Sequence, residues 1–380
     1  MSRELADLRE RSPAQRQPYL RPIRFEDYDA IGRLSASYWQ MQAAQDFGNL
    51  WLDNPLWPRM RDRWSMGWGL ESPGGELVGL VLSIPALYSF QGEQLVSASS
   101  CGWVVAPGYR GYGLQLLDEY LNQPGVDLCM MTSTGAMAAP VVERIARRVP
   151  VGRWDTASRL WAHPASLAKR RLHKMRVPLG HLLAYPAGWM LSVKNQIQGK
   201  RLPSSDRSVT TELVSAFDLR FDTFWDEMVR ERPKKLLADR HNAALTWHFR
   251  IPLRQQRLWV ATASRNRRLL AYCTFVCKGQ DERRYLRLCD YQSLETDRDL
   301  LPTLLRLALR RCVMEKIGHI EHTGTDVPAM EAFDRNATST DQLPSWVYYY
   351  HATDAQLDEQ LRAKEPWDPS VYDGDASVGL

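Results

Sequence analysis

The sequence predicts an α/β (α+β) fold in two tandem halves, on three observations. The chain has 380 residues, about 2.5 times a typical domain of roughly 150. Strand-type and helix-type patterns alternate along it and pass through the same order twice. Within that order, Leu128–Ile145 (containing MMTSTGAMAAPVVERI) and Ile317–Asn336 (containing HIEHTGTDVPAMEAFDRN) each place Thr-Gly after a strand, with a short helix following. Apolar residues make up 44% and charged residues 24%, with mean hydropathy -0.41, which excludes extensive disorder and collagen-like or coiled-coil designs. No uninterrupted apolar run of about 18 residues exists, so no spanning helix is expected. The polar start MSRELADLRERSPAQRQ lacks the apolar core of a secretory signal. Six cysteines (Cys101, Cys129, Cys273, Cys277, Cys289, Cys312) stand in apolar settings, as reduced buried thiols do. A cytoplasmic enzyme or binding protein is the expectation.

Taken in order, Tyr19–Phe25 alternates as a strand, Glu26-Asp27 signals a helix start, and Tyr28–Trp39 has helical spacing. The tryptophan-rich stretch Leu50–Trp68 fits neither period. Glu76–Tyr88 and Gln94–Val105 read as strands joined at Gln91-Gly92. A glycine-rich loop, Pro107–Gly113, leads into a helix at Leu114–Asn122 with Leu114, Leu117 and Leu121 on one face. Val126–Ser133 is a strand, Ala139–Arg147 a helix, and Trp154–Ala162 a strand closing the first half. The second half opens with helices at Phe221–Glu231 and His241–Phe249, then the hairpin Leu258–Ser264 and Leu269–Lys278 turning at Arg265–Arg268. Strand Tyr285–Ser293, helix Asp299–Lys316, strand Ile317–Glu321, short helix Ala329–Arg335 and core strand Trp346–Tyr350 complete it. The partition is an arm at 1–18, a first domain at 19–165, a connector at 166–208, a second domain at 209–352, and a C-terminal helix and tail at 353–380.

The chemistry concentrates in Trp103-Val104-Val105-Ala106-Pro107-Gly108-Tyr109-Arg110-Gly111-Tyr112-Gly113-Leu114. Glycines there permit positive φ and close backbone approach, and a helix that follows leaves first-turn N–H groups free for an anion. Arg110 adds a charge-assisted bond, and Gly113 is expected to stay small because a diphosphate lies against it. The spacing is neither a Walker loop nor a dinucleotide GxGxxG.

This segment resembles the acyl-CoA pyrophosphate loop of the GNAT acyltransferase superfamily, Arg/Gln-x-x-Gly-x-Gly/Ala after a strand ending Val-x-Pro. Arg110 and Gly113 match, and Gln115 stands at the last fixed position. The resemblance covers about Tyr19–Trp161 and implies two tandem GNAT-like domains, each a mixed, mostly antiparallel sheet flanked by helices. It implies that acetyl-CoA or another acyl-CoA is held by the backbone of Val104 and Val105, with Tyr109, Arg110, Gly111, Tyr112, Gly113 and Leu114 around the diphosphate. The implied activity is N-acyl transfer to a small amine, such as an amino-sugar of polysaccharide metabolism. A non-catalytic CoA-binding module and a Fem-like aminoacyl transferase are the alternatives. In the second half the matching turn, Tyr291–Asp297, has no glycine and two acids, so cofactor binding there is not expected; Asp299 should cap its helix.

The general base and acid are not legible. Ser133 and Thr134 are weak candidates, and Glu93 lies at a strand start. Asp290 sits inside an apolar strand, where a salt bridge to Arg287 or a neighbouring loop is expected rather than an acceptor role. Cys101 is expected to be packed rather than nucleophilic. His241, His248, His319 and His322 form no zinc spacing with any cysteine pair. Net charge is +5, too mild and dispersed for a nucleic-acid partner. The basic cluster Lys169, Arg170, Arg171, His173, Lys174 and Arg176 precedes the apolar stretch Val177–Val193; a solvated helix face is the first reading and weak peripheral membrane contact the second.

Overall fold

A computed structural model describes residues 17–36, 44–163, 165, 167, 168, 172, 175, 183–190, 202, 208–295, 299–324, 327–343, 347–375 and 377. The first sheet begins with β1 (Tyr19–Pro22), β2 (Gly67–Glu71), β3 (Leu77–Phe90), β4 (Glu93–Val105) and β5 (Leu128–Thr134) as neighbours in that order. The two longest strands, β3 and β4, form a hairpin whose turn residues Gln91 and Gly92 have φ of 54° and 84°, the left-handed pair that matches strand twist. Helix Gly113–Leu121 packs on this sheet through Gly113, Leu116, Leu117, Tyr120 and Leu121. Leu114, expected on that face, is 53% exposed, because the buried stripe falls at 113, 116, 117, 120 and 121.

The second sheet has the same core order: β10 (Leu258–Arg265), β11 (Arg268–Lys278), β12 (Tyr285–Ser293) and β13 (His319–Gly324). Its hairpin turns at Asn266-Arg267, again with both φ positive. β8 (Thr210–Val214) edges it, helix Leu219–Glu231 starts with Asp218 capping the Arg220 amide, and helix Leu301–Met314 covers one face.

The last strand of each half lies in the other half's sheet. β7 (Arg153–Trp161) does not close the first half as expected; it pairs antiparallel with β13, and β14 (Ser339–Gln342) pairs with its other edge. β15 (Val347–Ala352) pairs with β5 in the first sheet, with the two-residue β6 (Arg147–Arg148) beyond it. A short β9 (Leu237–Ala238) from the second half adds to β3. One apolar core therefore runs through both halves, from Leu80 and Met130 to Phe221, Tyr272 and Tyr349. After helix Ala355–Leu361 the tail buries Trp367, Val371 and Tyr372 between the sheets. Leu50–Trp68 holds the end of helix Ala44–Leu52 and the short helix Trp57–Met60, and its last two residues open β2, an unexpected strand. No described helix is long and apolar enough to cross a membrane. The basic cluster, apart from positions 172 and 175 within it, lies outside the described residues.

Candidate functional site

β4 and β5 are parallel, and their register covers only Ser97–Ser99 against Leu128–Met130. Beyond that point β4 runs to Val105 and β5 to Thr134 with no pairing between them among the described residues. A bulge forces the parting. Trp103 faces Val81 and Cys101 faces Leu82, so Gly102, at φ 68°, is an extra residue that bends β4 away. Tyr120 Oη sits at the fork, 2.6 Å from Ala98 O and 2.9 Å from Met130 O. Backbone groups lining such a fork are left for a ligand to pair with. Val104, buried, and Val105 form its β4 wall, held on their other side by Leu80 and Gly79.

At the outer end of the fork the loop differs from the expectation. Pro107–Tyr112 is wound as a 3-10 helix continuous with the helix from Gly113, and Gly108, Gly111 and Gly113 (φ −59°) all avoid the left-handed region. Tyr109 N–H donates to Ala106 O and Gly113 N–H to Arg110 O. The proline presets a helical φ, so the turn starts early and its amides bond to carbonyls behind them. Gly113 is small for a packing reason: a Cβ there would lie 3.2 Å from the Trp103 ring. Arg110 and Gly111 are exposed, with Tyr109 and Tyr112 half-buried beside them. The Arg110 guanidinium forms no ion pair among the described residues. Trp103 Nε1 and the Ser97 and Ser99 hydroxyls are buried without a hydrogen-bond partner among them, so donors along β4 can serve a ligand's oxygens.

At the inner end a cavity of about 60 Å³ is lined by Tyr88, Ser99, Asp239, Trp247, Tyr372 and Asp373, among others. That volume holds several waters or one compact polar head. The tail supplies a group that the sequence reading missed. Asp375 Oδ1 accepts from Thr132 Oγ1 at 2.8 Å and Oδ2 from Ser133 Oγ at 2.7 Å, both on β5 past the fork. Burial pushes this carboxyl above its usual range. Gly374 is wedged against β5; a Cβ on it would lie 1.9 Å from Thr132 Oγ1. Of the two weak candidates, Ser133 thus reaches a carboxylate, whereas Thr134 pairs with Val347 in the ladder. Glu93 is exposed at the hairpin end of β4. Cys101 is half-buried, unlike the other five cysteines, and the desolvation of its thiol pushes its pKa up.

Beneath the cavity, Arg240 is fully buried. Its Nε donates to Asp290 Oδ2 at 2.8 Å and its Nη2 to Asp373 Oδ1 at 3.1 Å, with its guanidinium 4.5 Å from the Tyr372 ring centre. Asp290 therefore pairs with Arg240 and not with Arg287, because Arg287 is taken by Glu321, its direct partner across β12–β13. Burial pushes Asp373 up to about 6. His241, hydrogen-bonded to Asp239, is pushed up to about 9, and His248, buried against Ser377 Oγ, well down.

The second sheet has its own fork after Arg287 and Glu321, with the bulge at Cys289. There the tail itself fills the role of a ligand: Tyr372 N–H donates to Cys289 O at 3.0 Å. Glu295 is ion-paired with Arg265; Asp299 lies one residue before the N-cap, which is Leu300 and not Asp299 as expected, and accepts from the Leu301 amide from there. Thr296 and Asp297 lie outside the described residues.

No family model matches the chain, and no curated protein is similar to it in sequence. Solved structures do share its fold. A GCN5-related N-acetyltransferase from Anabaena variabilis is 10% identical, with TM-score 0.52 over 89% of this chain and 73% of that one. A probable N-acyltransferase from Enterococcus faecalis is 12% identical, with TM-score 0.55 over the same shares. The Saccharomyces cerevisiae N-myristoyltransferase with bound myristoyl-CoA is 12% identical, with TM-score 0.51 over 97% of this chain and 86% of that one. The chain thus has the fold of GCN5-related N-acetyltransferases and N-myristoyltransferases.

Proposed function

We propose that the protein is an acyl-CoA-dependent N-acyltransferase with one working site, at the β4–β5 fork. The observation that supports this most is the fork itself: parallel strands parted by the Gly102 bulge, an exposed Arg110 at one end and a mostly apolar cavity that includes Asp239 and Asp373 at the other. The residues there fit an acyl-CoA. Unpartnered donors at Ser99 and Trp103 face or flank the fork, Val104 and Val105 line it, and Arg110 suits a diphosphate. The bound thioester would supply an activated acyl group. Gly111, Tyr112, Gly113 and Leu114 form the helical turn on which such a diphosphate would rest.

The acceptor in this reading is a small amine, with an amino-sugar the sequence-based expectation. An alkylammonium must lose a proton, which costs about 4–5 kcal/mol at neutral pH. Asp375 is our choice of base. Its hydroxyl partners Thr132 and Ser133 hold it at the fork, and its raised pKa brings it closer to the amine it must deprotonate. Ser99, Asp239 and Asp373 are among the residues that line the cavity. The second fork, with its bulge carbonyl already bonded to Tyr372, takes no acyl-CoA. Calorimetric titration with acetyl-CoA and with myristoyl-CoA tests the reading: one site per chain for at least one of them is expected. No binding of either, or two equivalent sites, would overturn it.

A further inference from the structure

Residues 183–190 form a helical segment that reads Leu-Ala-Tyr-Pro-Ala-Gly-Trp-Met. A helix resting on a soluble protein normally turns its large apolar side chains inward and polar ones to water. This one does the reverse. Its buried positions are Ala184 and Gly188, one turn apart, while Leu183 is 49% exposed, Tyr185 79%, Trp189 70% and Met190 66%. Tyr185 and Trp189 are spaced i, i+4, which puts both on one face of the helix, and both are exposed. Both are side chains that favour the headgroup level of a bilayer. From Val177 to Val193 the sequence has no Asp, Glu, Lys or Arg.

The sequence just before this stretch supplies charge of one sign. Residues 169–176 are Lys-Arg-Arg-Leu-His-Lys-Met-Arg, five cations without an acid, and Met175 among them is 72% exposed. Apolar insertion plus a polybasic run is the pair of signals that holds a protein at an anionic lipid surface when neither alone suffices. We propose that Leu183–Met190 is a membrane-surface anchor, inserting Tyr185, Trp189 and Met190 shallowly into a leaflet whose anionic charge complements the positive charge written in the sequence at 169–176. The Ala184–Gly188 stripe lets the helix lie close to the protein while presenting all its bulk outward.

Flotation of the full chain with vesicles of phosphatidylcholine, with and without phosphatidylglycerol, tests this independently of any acyl transfer. Binding is expected on the anionic vesicles and should fall steeply as salt is raised. The variant Tyr185→Ser/Trp189→Ser, altered only at exposed positions, should lose at least about tenfold in partitioning. The variant Lys169→Gln/Arg170→Gln/Arg171→Gln should lose about a hundredfold on anionic vesicles. No partitioning of the wild type, or unchanged partitioning in both variants, would overturn the proposal. So would a dimer in light scattering that becomes a monomer in Tyr185→Ser/Trp189→Ser, which would assign the face to a second copy.

Discussion

Replacing Arg240 with Met should be among the most destabilising single changes available in this protein, and its cost should depend on pH. The guanidinium is 1% exposed and bridges Asp290, itself fully buried, and Asp373. It also donates to Ala238 O at 2.9 Å and to Ser370 Oγ at 3.2 Å. Methionine keeps most of the volume and the packing on Tyr372 but leaves two carboxylates buried without their cation. Breaking a buried pair in this way costs about 3–5 kcal/mol. The pH dependence follows from Asp373. Its folded pKa of about 6 lies above the ordinary 3.8, so between those values the folded state holds more protons, and the stability it contributes declines as pH rises through 6. Without Arg240 that pKa moves higher still. The loss should therefore be larger at about pH 8 than at about pH 5, where Asp373 can take a proton. Adding Asp373→Asn to the variant should recover part of the loss at the higher pH. Urea unfolding followed by circular dichroism at both pH values measures this. A cost below about 1 kcal/mol, or an equal cost at both pH values, would refute the reasoning.

Arg110→Ala should leave unfolding unchanged, since the side chain is exposed, and raise the acyl-CoA dissociation constant about tenfold to a hundredfold by calorimetry. Asp375→Asn should lower kcat by about 10²–10⁴-fold with little effect on KM, and should remove the acidic limb of the pH–rate profile, which in the wild type sits above the usual carboxylate range. His241, pushed up to about 9 by Asp239, stabilises the fold fully below its unfolded pKa of about 6.5 and loses that contribution as pH rises through 9. His241→Asn should accordingly destabilise at about pH 6 and be neutral above about pH 10, as read by chemical denaturation. Nicking the polar stretch 198–207 should leave the two fragments together in gel filtration, because each sheet holds a strand of the other half.

What could be read from the sequence was what is written locally. β3, β4 and the helix after Tyr112 announce themselves through period and turn residues, and the two hairpins turn at Gln91-Gly92 and Asn266-Arg267, where the tight turn takes positive φ. β2 was missed because Gly67 and Gly69 lower strand propensity. They are there because β3 approaches closely, a Cβ at Gly67 falling 2.2 Å from Val81 O. The strand exchange leaves no local trace. Arg153–Trp161 and Val347–Ala352 are ordinary strand sequences, and nothing in them names the partner edge. The loop around Arg110 was found by its residue types, but its 3-10 winding depends on where Pro107 starts the turn. Asp375 lies in the tail at 353–380, where nothing local names the strand it meets. It reaches the fork only because Trp367, Val371 and Tyr372, a few residues earlier, are drawn into the core. Asp290 had a plausible neighbour in sequence at Arg287, but the ladder gives that arginine to Glu321.

The exchanged strands also govern how the protein is made. β5 ends at Thr134, yet the strand that covers its outer edge, β15, begins at Val347. At ribosomal speeds of 5–20 residues per second that edge waits roughly 10–40 s for its partner. During this interval Leu128–Thr134, an apolar strand with open hydrogen-bonding groups, is free to pair with another nascent chain. The yield of folded protein should therefore respond to holdase chaperones acting on the first 200 or so residues, and slow codons between the halves should lower it.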